Sequence, residues 1–394
     1  MRIGRYHMNF HEIEELDATY GAKTFARFPV AFTGGRGATL IDTEGKEYID
    51  FGAGIAVNVF GVNDEAWKKA VIDQINKVQH VSNYYYAEPQ AKLAKLLCEK
   101  TGAKRVFFAN SGAEANECAF KTARKYSFEK YGRHRARIVS LNDSFHGRTL
   151  FTLTATGQNS FHQYFDPFVP EVVSAPASMS AIERAMDTRA CAVVIECVQG
   201  ESGVTALEKG FVSELAAYCK EHDILLICDE VQSGNGRTGK FFAYEHYGIQ
   251  PDIVTTAKGL GGGLPIGACL FFDKTEGVLT PGDHGSTFGG NPVACAGACN
   301  VVERITEEFL FEVSGKAEYM RAKLAGFDGV KKVTGLGMMI GLELTKNPKE
   351  VAAECLKRGL LVLTAHARLR LVPPLTITKT EMDEGLSILK GVLA

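Results

Sequence analysis

The chain has almost no net charge. Its 44 Lys and Arg stand against 46 Asp and Glu, leaving −2 at neutral pH with histidine uncharged. No basic excess is available to neutralise a phosphate backbone or an anionic membrane surface, so neither nucleic acid nor a membrane is an expected partner. Long hydrophobic runs are missing as well. The longest, such as "ACAVVI" and "ILLIC", meet a charge well short of a membrane-spanning length. The first residues, "MRIGRYHMNFHEIEELDATYG", contain no apolar core followed by small residues, so a secretory leader is not expected and a soluble, cytoplasmic protein is. The ten cysteines include no C-x-x-C, and Cys191, Cys228 and Cys269 lie inside apolar runs. Buried free thiols in a reducing compartment account for them better than disulfides do. His7 and His11 have the spacing of one helix face, but the glutamate of the metalloprotease pattern does not follow His7, so no metal site is expected.

What is present is ordinary globular composition: 394 residues, 45% hydrophobic and 23% charged, enough for two or three structural units. From about Lys104 onward, short apolar segments alternate with amphipathic ones. "RVFFAN", "RIVSL", "TLTAT", "AVVIE", "ILLICDE", "DIVTTAK" and "IGACLFF" read as strands, and "EANECAFKTARKYSFEKYG" and "FVSELAAYCKEHD" as helices. Such alternation predicts an α/β fold whose mostly parallel central sheet is covered on both faces. After Pro292 a long helical stretch leads to "VTGLGMMIGLEL", "GLLVLT" and "LRLVPPLTI", which read as strands of a smaller α+β unit. The last helix, "EMDEGLSILKGVL", is expected to be capped by Thr380, with Asp383 closing a capping box. No internal repeat or low-complexity linker interrupts the chain.

In open α/β sheets, ligands sit at the carboxyl ends of the strands. Several strands here end in chemically loaded residues: "FFANSGAE", "ICDEVQ" and "TTAKG". At "NSGAEANE" a strand passes through the tight turn Ser111-Gly112-Ala113 into a helix, whose unpaired first N–H groups and dipole suit a phosphate. Ser111 serves equally as a plain helix cap. Asp229 ends a buried strand, where a carboxylate is costly without a cation, so it either caps the next turn or faces a protonated ring nitrogen. Lys258 follows "DIVTTA" and precedes four glycines in five residues, a setting that lets backbone approach a ligand closely, although most lysines are simply solvated. Holding this amine neutral at pH 7 would cost about 4–5 kcal/mol from a reference pKa of ~10.4, and an imine to an aldehyde cofactor removes that cost. Phosphate cradle, buried aspartate and imine-forming lysine together describe a pyridoxal phosphate site, with Asp229 making the ring an electron sink. "GNGRTG", from Gly234 to Gly239, fits the dinucleotide pattern G-x-G-x-x-G. Asp229 and Glu230 just before it would repel a pyrophosphate, which argues against a nicotinamide-dependent dehydrogenase.

With these residues in place, the sequence resembles the class III (ω-amino acid) aminotransferases among the fold type I pyridoxal phosphate enzymes. The resemblance runs from "YGAKTFARFPV" to "RLVPPLTIT", with the motifs in the family's order. It implies a large cofactor-binding domain over 51–291 and a smaller domain built from both termini, 1–50 and 292–394. It further implies that Lys258 holds pyridoxal 5′-phosphate, Asp229 binds the ring nitrogen and Gln232 the phenolic oxygen. Phe145 of "FHGRT" would stack on the ring, and Ser111, Gly112 and Ala113 would hold the phosphate. Arg148 would clamp a substrate carboxylate, with Arg370 and Glu201 completing the pocket. Ser286 and Thr287 of "HGSTFGGNP" would come from a second subunit, Thr287 to the phosphate, which requires a homodimer. Two arginines suit the two carboxylates of 2-oxoglutarate. The amine donor has no carboxylate beside its reacting carbon, and Glu201 would neutralise Arg370 in that half-reaction. Glu196, ending "AVVIE", is either a site residue or a structural hydrogen-bond acceptor. Where ornithine-using members carry tyrosines for a free α-amino group, this chain has Phe25 and Ile55, and "GIAVN" resembles the acetylornithine-using branch. N-acetylornithine is therefore the first expected donor, followed by succinylornithine, N-succinyl-diaminopimelate precursors and ornithine.

Overall fold

The computed structural model describes residues 8–394, which leaves His7 outside it. After a helix over Phe10–Tyr20 come three short strands: β1 (Phe32–Arg36), β2 (Thr39–Asp42) and β3 (Glu47–Asp50). Seven later strands form the central sheet: β4 (Arg105–Ala109), β5 (Arg137–Leu141), β6 (Val172–Ala175) and β7 (Ala190–Ile195), then β10 (Leu225–Asp229), β11 (Ile253–Thr256) and β12 (Gly267–Phe271). A two-stranded ribbon, β8 (Val198–Gln199) and β9 (Thr205–Ala206), lies between the two groups in sequence. The order across the central sheet is β4-β12-β11-β10-β7-β5-β6, parallel throughout except for β12, which runs against both neighbours. Strands β7, β10, β11 and β12 are buried at every position, which is why they read as unbroken apolar runs.

The C-terminal region adds β13 (Val330–Leu336), β14 (Met339–Leu344), β15 (Leu360–Leu361), β16 (Leu363–Ala365) and β17 (Arg368–Leu371). β15 pairs in parallel with β3, so the two ends of the chain share one sheet. "VTGLGMMIGLEL" is a hairpin, "GLLVLT" is split between two sheets, and "LRLVPPLTI" stays extended in a ladder only as far as Leu371. The helical stretch after Pro292 is two helices, Pro292–Arg304 and Glu307–Ala325, the second started by a Thr306 cap.

Two sequence expectations fail. "TLTAT" is not a strand: Leu150–Ala155 is a helix that buries Thr152, Leu153 and Ala155, and the strand "VVSA" takes its place in the sheet. The last helix is Lys379–Leu393, capped by Thr378 with Glu381 rather than by Thr380 with Asp383. Asp383 is already engaged by Lys379 at 2.5 Å and by the Tyr319 hydroxyl, while Glu381 also accepts from the backbone of Ala38 at 3.3 Å.

One segment is strained. Ala53, Gly54, Ile55 and Ala56 lie consecutively in the left-handed region, with φ of 47°, 61°, 64° and 62°. Each non-glycine residue there costs ~1–2 kcal/mol. Asp50 Oδ1 accepts from the N–H groups of Gly52 and Ala53 at 2.8 and 2.9 Å and so fixes the entry to this turn.

The cap assignment is directly testable. Thr378→Ala is expected to lower unfolding stability by about 1 kcal/mol in chemical denaturation, whereas Thr380→Ala changes it by less than about 0.5 kcal/mol.

Candidate active site

The carboxyl ends of the parallel strands converge on a cavity of about 440 Å³. β10 delivers Asp229 and Gln232, β11 delivers Lys258, β7 delivers Glu196, β4 delivers Ser111, Gly112 and Ala113, and the loop after β5 delivers Phe145 and Arg148. These expected residues therefore line one space.

Asp229 is buried and triply held. Its Oδ2 accepts from Asn116 Nδ2 at 2.7 Å and lies 2.8 Å from His146 Nδ1, and its Oδ1 accepts from the Val231 N–H at 3.0 Å. Asn116 is oriented in turn, since its Oδ1 accepts from the Thr255 hydroxyl at 2.7 Å, and Thr255 is the residue that faces Asp229 across β10 and β11. Oδ1 retains acceptor capacity for one further donor inside the cavity. Sequence reading assigned no role to Asn116 or His146. The signal available for Asn116 was a polar residue within the buried stripe of the helix Gly112–Tyr131, among Ala115, Cys118 and Ala119. His146 lay inside the quoted "FHGRT", where nothing in the spacing pairs it with Asp229.

Lys258 follows β11 with φ 43°, a left-handed conformation next to Gly259, and its remaining accessible surface faces the cavity. Burial lowers its ammonium from the ordinary lysine value. The carboxylates of Glu201 and Asp229 pull the other way without offsetting it.

Ser111 caps the helix: its side chain accepts from the Glu114 N–H at 3.2 Å. The plain capping role is thus real, and it leaves the first-turn N–H groups of Gly112 and Ala113 facing the cavity. Bulk is excluded at this turn. A Cβ on Gly112 would lie 2.6 Å from Val231 Cγ1, and one on Gly267 of β12 would lie 2.1 Å from the Ser111 carbonyl oxygen.

Glu196 accepts from the Phe145 N–H at 2.8 Å, and burial, reinforced by the charge of Asp229, pushes its carboxyl well above the ordinary range. It serves as a structural acceptor that sets the Phe145 backbone while also lining the cavity. Arg148 stacks on Phe161 at 4.0 Å and Phe145 at 5.5 Å from the ring centroids, and no carboxylate among the described residues pairs with it. Its charge remains available to a ligand.

Beside the cavity, Arg370 is buried and donates through Nη1 to Glu201 Oε1 at 2.5 Å and to Gln232 Oε1 at 3.1 Å. Gln232 Nε2 donates to the same Glu201 oxygen at 3.1 Å. Burial alone would raise the Glu201 carboxyl, but the Arg370 guanidinium outweighs it and holds the group below the usual range. Arg370 Nε has no partner among the described residues. Ser286 and Thr287 do not line the cavity: Ser286 Oγ accepts from Asn110 Nδ2 at 3.1 Å, and Thr287 is exposed. Phe25 and Ile55 border a separate cavity of about 480 Å³ between the N-terminal segment and Leu360–Leu363. "GNGRTG" makes a series of tight turns followed only by a short 3₁₀ helix, Ala243–Tyr247, and Arg237 at its centre is fully buried, which is not the strand–turn–α-helix setting of a dinucleotide site.

The Aminotransferase class-III family profile matches residues 20–393. The chain belongs to the class III aminotransferases. It is similar to the acetylornithine aminotransferase of Haemophilus ducreyi, 49% identical over 98% of this chain and all of the relative. It is 44% identical to the succinylornithine transaminase of Citrobacter koseri over 92% of each chain. Its fold matches that of the ornithine aminotransferase of Toxoplasma gondii with a TM-score of 0.93 and 29% identity, covering 98% of this chain and 96% of that one.

Class III aminotransferases use pyridoxal 5′-phosphate, and the residues of this chain fit it: a free first-turn N–H pair, an acidic floor and an amine share one cavity. Bound there, the cofactor supplies an aldehyde carbon and an electron-withdrawing ring. Asp229, oriented by Asn116, His146 and the Val231 N–H, would face the ring nitrogen, and Gln232 and Phe145 would fix the ring's position. Among the described residues, no helix is long and apolar enough to cross a membrane.

The lowered Lys258 ammonium predicts that, in cofactor-free protein, this amine deprotonates at lower pH than a solvated lysine. The midpoint of its pH-dependent acylation, read by mass spectrometry, is expected below ~10.4, and a midpoint at or above that value would contradict the burial argument.

Proposed function

We propose that the enzyme transfers the δ-amino group of N2-acetyl-L-ornithine to 2-oxoglutarate, giving N-acetyl-L-glutamate 5-semialdehyde and L-glutamate, a step of arginine biosynthesis in the cytoplasm. The observation that carries this reading is the contact between Arg370 and Glu201. A pocket built only for α-amino acids would keep its arginine open for a carboxylate beside the reacting carbon. Here the guanidinium is already neutralised, which suits a donor whose reacting carbon is a plain CH₂–NH₂. When 2-oxoglutarate enters, its carboxylate competes for Arg370, and Glu201 must release it. Unpaired Arg148 takes the other carboxylate.

Lys258 alone among the cavity-lining residues carries an aliphatic amine, and it moves the proton taken from the donor's amine-bearing carbon. The acylated donor rests on the likeness to acylornithine-using enzymes, because Phe25 and Ile55 border a cavity separate from that of Lys258. The likeness to both acetylornithine and succinylornithine enzymes leaves the acyl group as the finer distinction.

The working unit in this reading is a homodimer in which Ser286 and Thr287 serve the partner's site. Support comes from an exposed apolar strip, Tyr84, Tyr85, Tyr86 and Phe288, beside the hydrogen bond from Asn83 Nδ2 to the Ser286 carbonyl at 2.9 Å. The same reading assigns 51–291 to the cofactor domain and 1–50 with 292–394 to the smaller one.

Mixing the holoenzyme separately with acetylornithine, succinylornithine, succinyl-diaminopimelate and ornithine, and following loss of the bound cofactor's visible absorbance, tests the donor. Acetylornithine is expected to react fastest and ornithine at least about tenfold more slowly. Ornithine reacting as fast would defeat the acyl reading. Glu201→Gln is expected to slow the donor half-reaction about tenfold or more while sparing the half-reaction with 2-oxoglutarate, because only the former needs the anion. Lys258→Ala should abolish turnover.

A further inference from the structure

We propose that Arg237, the centre of the "GNGRTG" run, is a positioning residue that fixes the substrate-facing wall of the active site. Transamination itself leaves this run without a role. Arg237 is 1% exposed and is the largest fully buried side chain among the described residues. Burying a guanidinium is costly, so its partners show what it holds.

Its Nη1 donates to the carbonyl of Pro373, three residues past Arg370 on the segment leaving β17. That segment is stitched to the one carrying the left-handed turn: the Val372 N–H donates to Phe51 O and the Leu375 N–H to Val59 O, each at 2.8 Å. The two stitches bracket Pro373, so the guanidinium clamps the seam at its midpoint. Asp50, the carboxylate whose charge acts on Arg237, receives the Gly52 and Ala53 N–H groups that begin the turn. Beyond the turn, Val57 lines the cavity, and Val59 Cγ2 would meet a Cβ on Gly259 at 2.8 Å, directly beside Lys258.

The rest of the run anchors Arg237. Its own carbonyl accepts from the Met338 N–H at 3.0 Å, and Asn235 Nδ2 donates to Thr256 Oγ1 at 2.9 Å and to the Ala257 carbonyl at 3.3 Å. One buried cation thus holds the segment leaving the strand of Arg370 where it is hydrogen-bonded, on both sides of Pro373, to the stretch that carries the strained turn and Val57. Neither segment belongs to the phosphate turn or to the Asp229 cluster. Loss of the clamp should therefore loosen substrate binding while leaving the cofactor held.

The test compares Arg237→Met and Arg237→Lys in the holoenzyme, using whichever ω-amine the wild type turns over. Failure of acetylornithine as donor would then count against the substrate assignment alone. In R237M, hydrogen exchange at the Ala53, Val372 and Leu375 amides should speed at least about tenfold, with the β10 amides Leu225–Ile227 within about twofold of wild type. KM for donor and for 2-oxoglutarate should each rise at least about tenfold, with kcat and the cofactor dissociation constant within about threefold. R237K should recover part of both effects. Should R237M not fold, R237M/D50N, which strands no buried carboxylate, carries the same comparisons. Wild-type exchange and KM in a folded variant would overturn the proposal. So would uniform acceleration of exchange in both regions with cofactor loss, which marks a merely structural residue.

Discussion

Everything at the site depends on a carboxylate held in the interior at the end of a parallel strand. Asp229 is buried, and a carboxylate in such a place is tolerated only with donors arranged around it. The chain supplies them from three elements: Asn116 from the helix after β4, His146 from the loop after β5, and the Val231 backbone from its own turn. Because the donors come from separate strand connections, the geometry of Asp229 reports the assembly of the whole sheet. The parallel arrangement matters for this reason. It places the carboxyl ends of β4, β5, β7, β10 and β11 on one edge, so residues scattered between Ser111 and Lys258 meet in one cavity.

A second charge cluster, Arg370 with Glu201 and Gln232, lies against the first and differs from it in kind. Asp229 is held by amide, imidazole and backbone groups that need not move. Arg370 is held by a carboxylate that the second substrate displaces in the proposed reaction, and its Nε is left without a partner among the described residues. A buried ion pair contributes little net stability, because desolvation cancels most of the attraction. The same cancellation makes the pair exchangeable: replacing Glu201 by a substrate carboxylate swaps one anion for another at small net cost. Gln232 bonds both partners, at 3.1 Å to each, and is placed to keep the guanidinium oriented during that exchange.

The parts legible in the sequence were those where chemistry interrupts an apolar run. "ICDEVQ", "TTAKG" and "NSGAE" each break a buried strand with residues that burial makes expensive, and all three meet at the cavity. Local patterns misled where two readings shared one signature. Threonine alternation in "TLTAT" imitates a strand, yet Thr152, Leu153 and Ala155 pack as one face of a helix. Thr378 and Thr380 both begin a T-x-x-acid frame, and contacts from distant residues, Ala38 to Glu381 and Tyr319 to Asp383, decide between them. The partners of Asn116 and His146 were hidden for a related reason. Each acts across the sheet on a partner far away in sequence, and nothing in the spacing records that contact.

The left-handed turn at Ala53–Ala56 shows how local and global preferences conflict at a working surface. Alanine and isoleucine would each relax to a right-handed or extended conformation in a free chain, and the β-branched Ile55 is especially ill-suited to positive φ. The conformation persists because its two ends are fixed independently, by Asp50 at the entry and by the bond from Leu375 to Val59 at the exit. A chain free to extend would carry Val57 out of the cavity wall and open the ground beside Gly259. The strain is thus the consequence of forcing a short connection to run from β3, in the sheet shared by the two termini, to the edge of the central sheet within a few residues. Rigid anchorage on both sides converts that forced path into a fixed wall next to the lysine, and only a strained segment with buried anchors could hold it there.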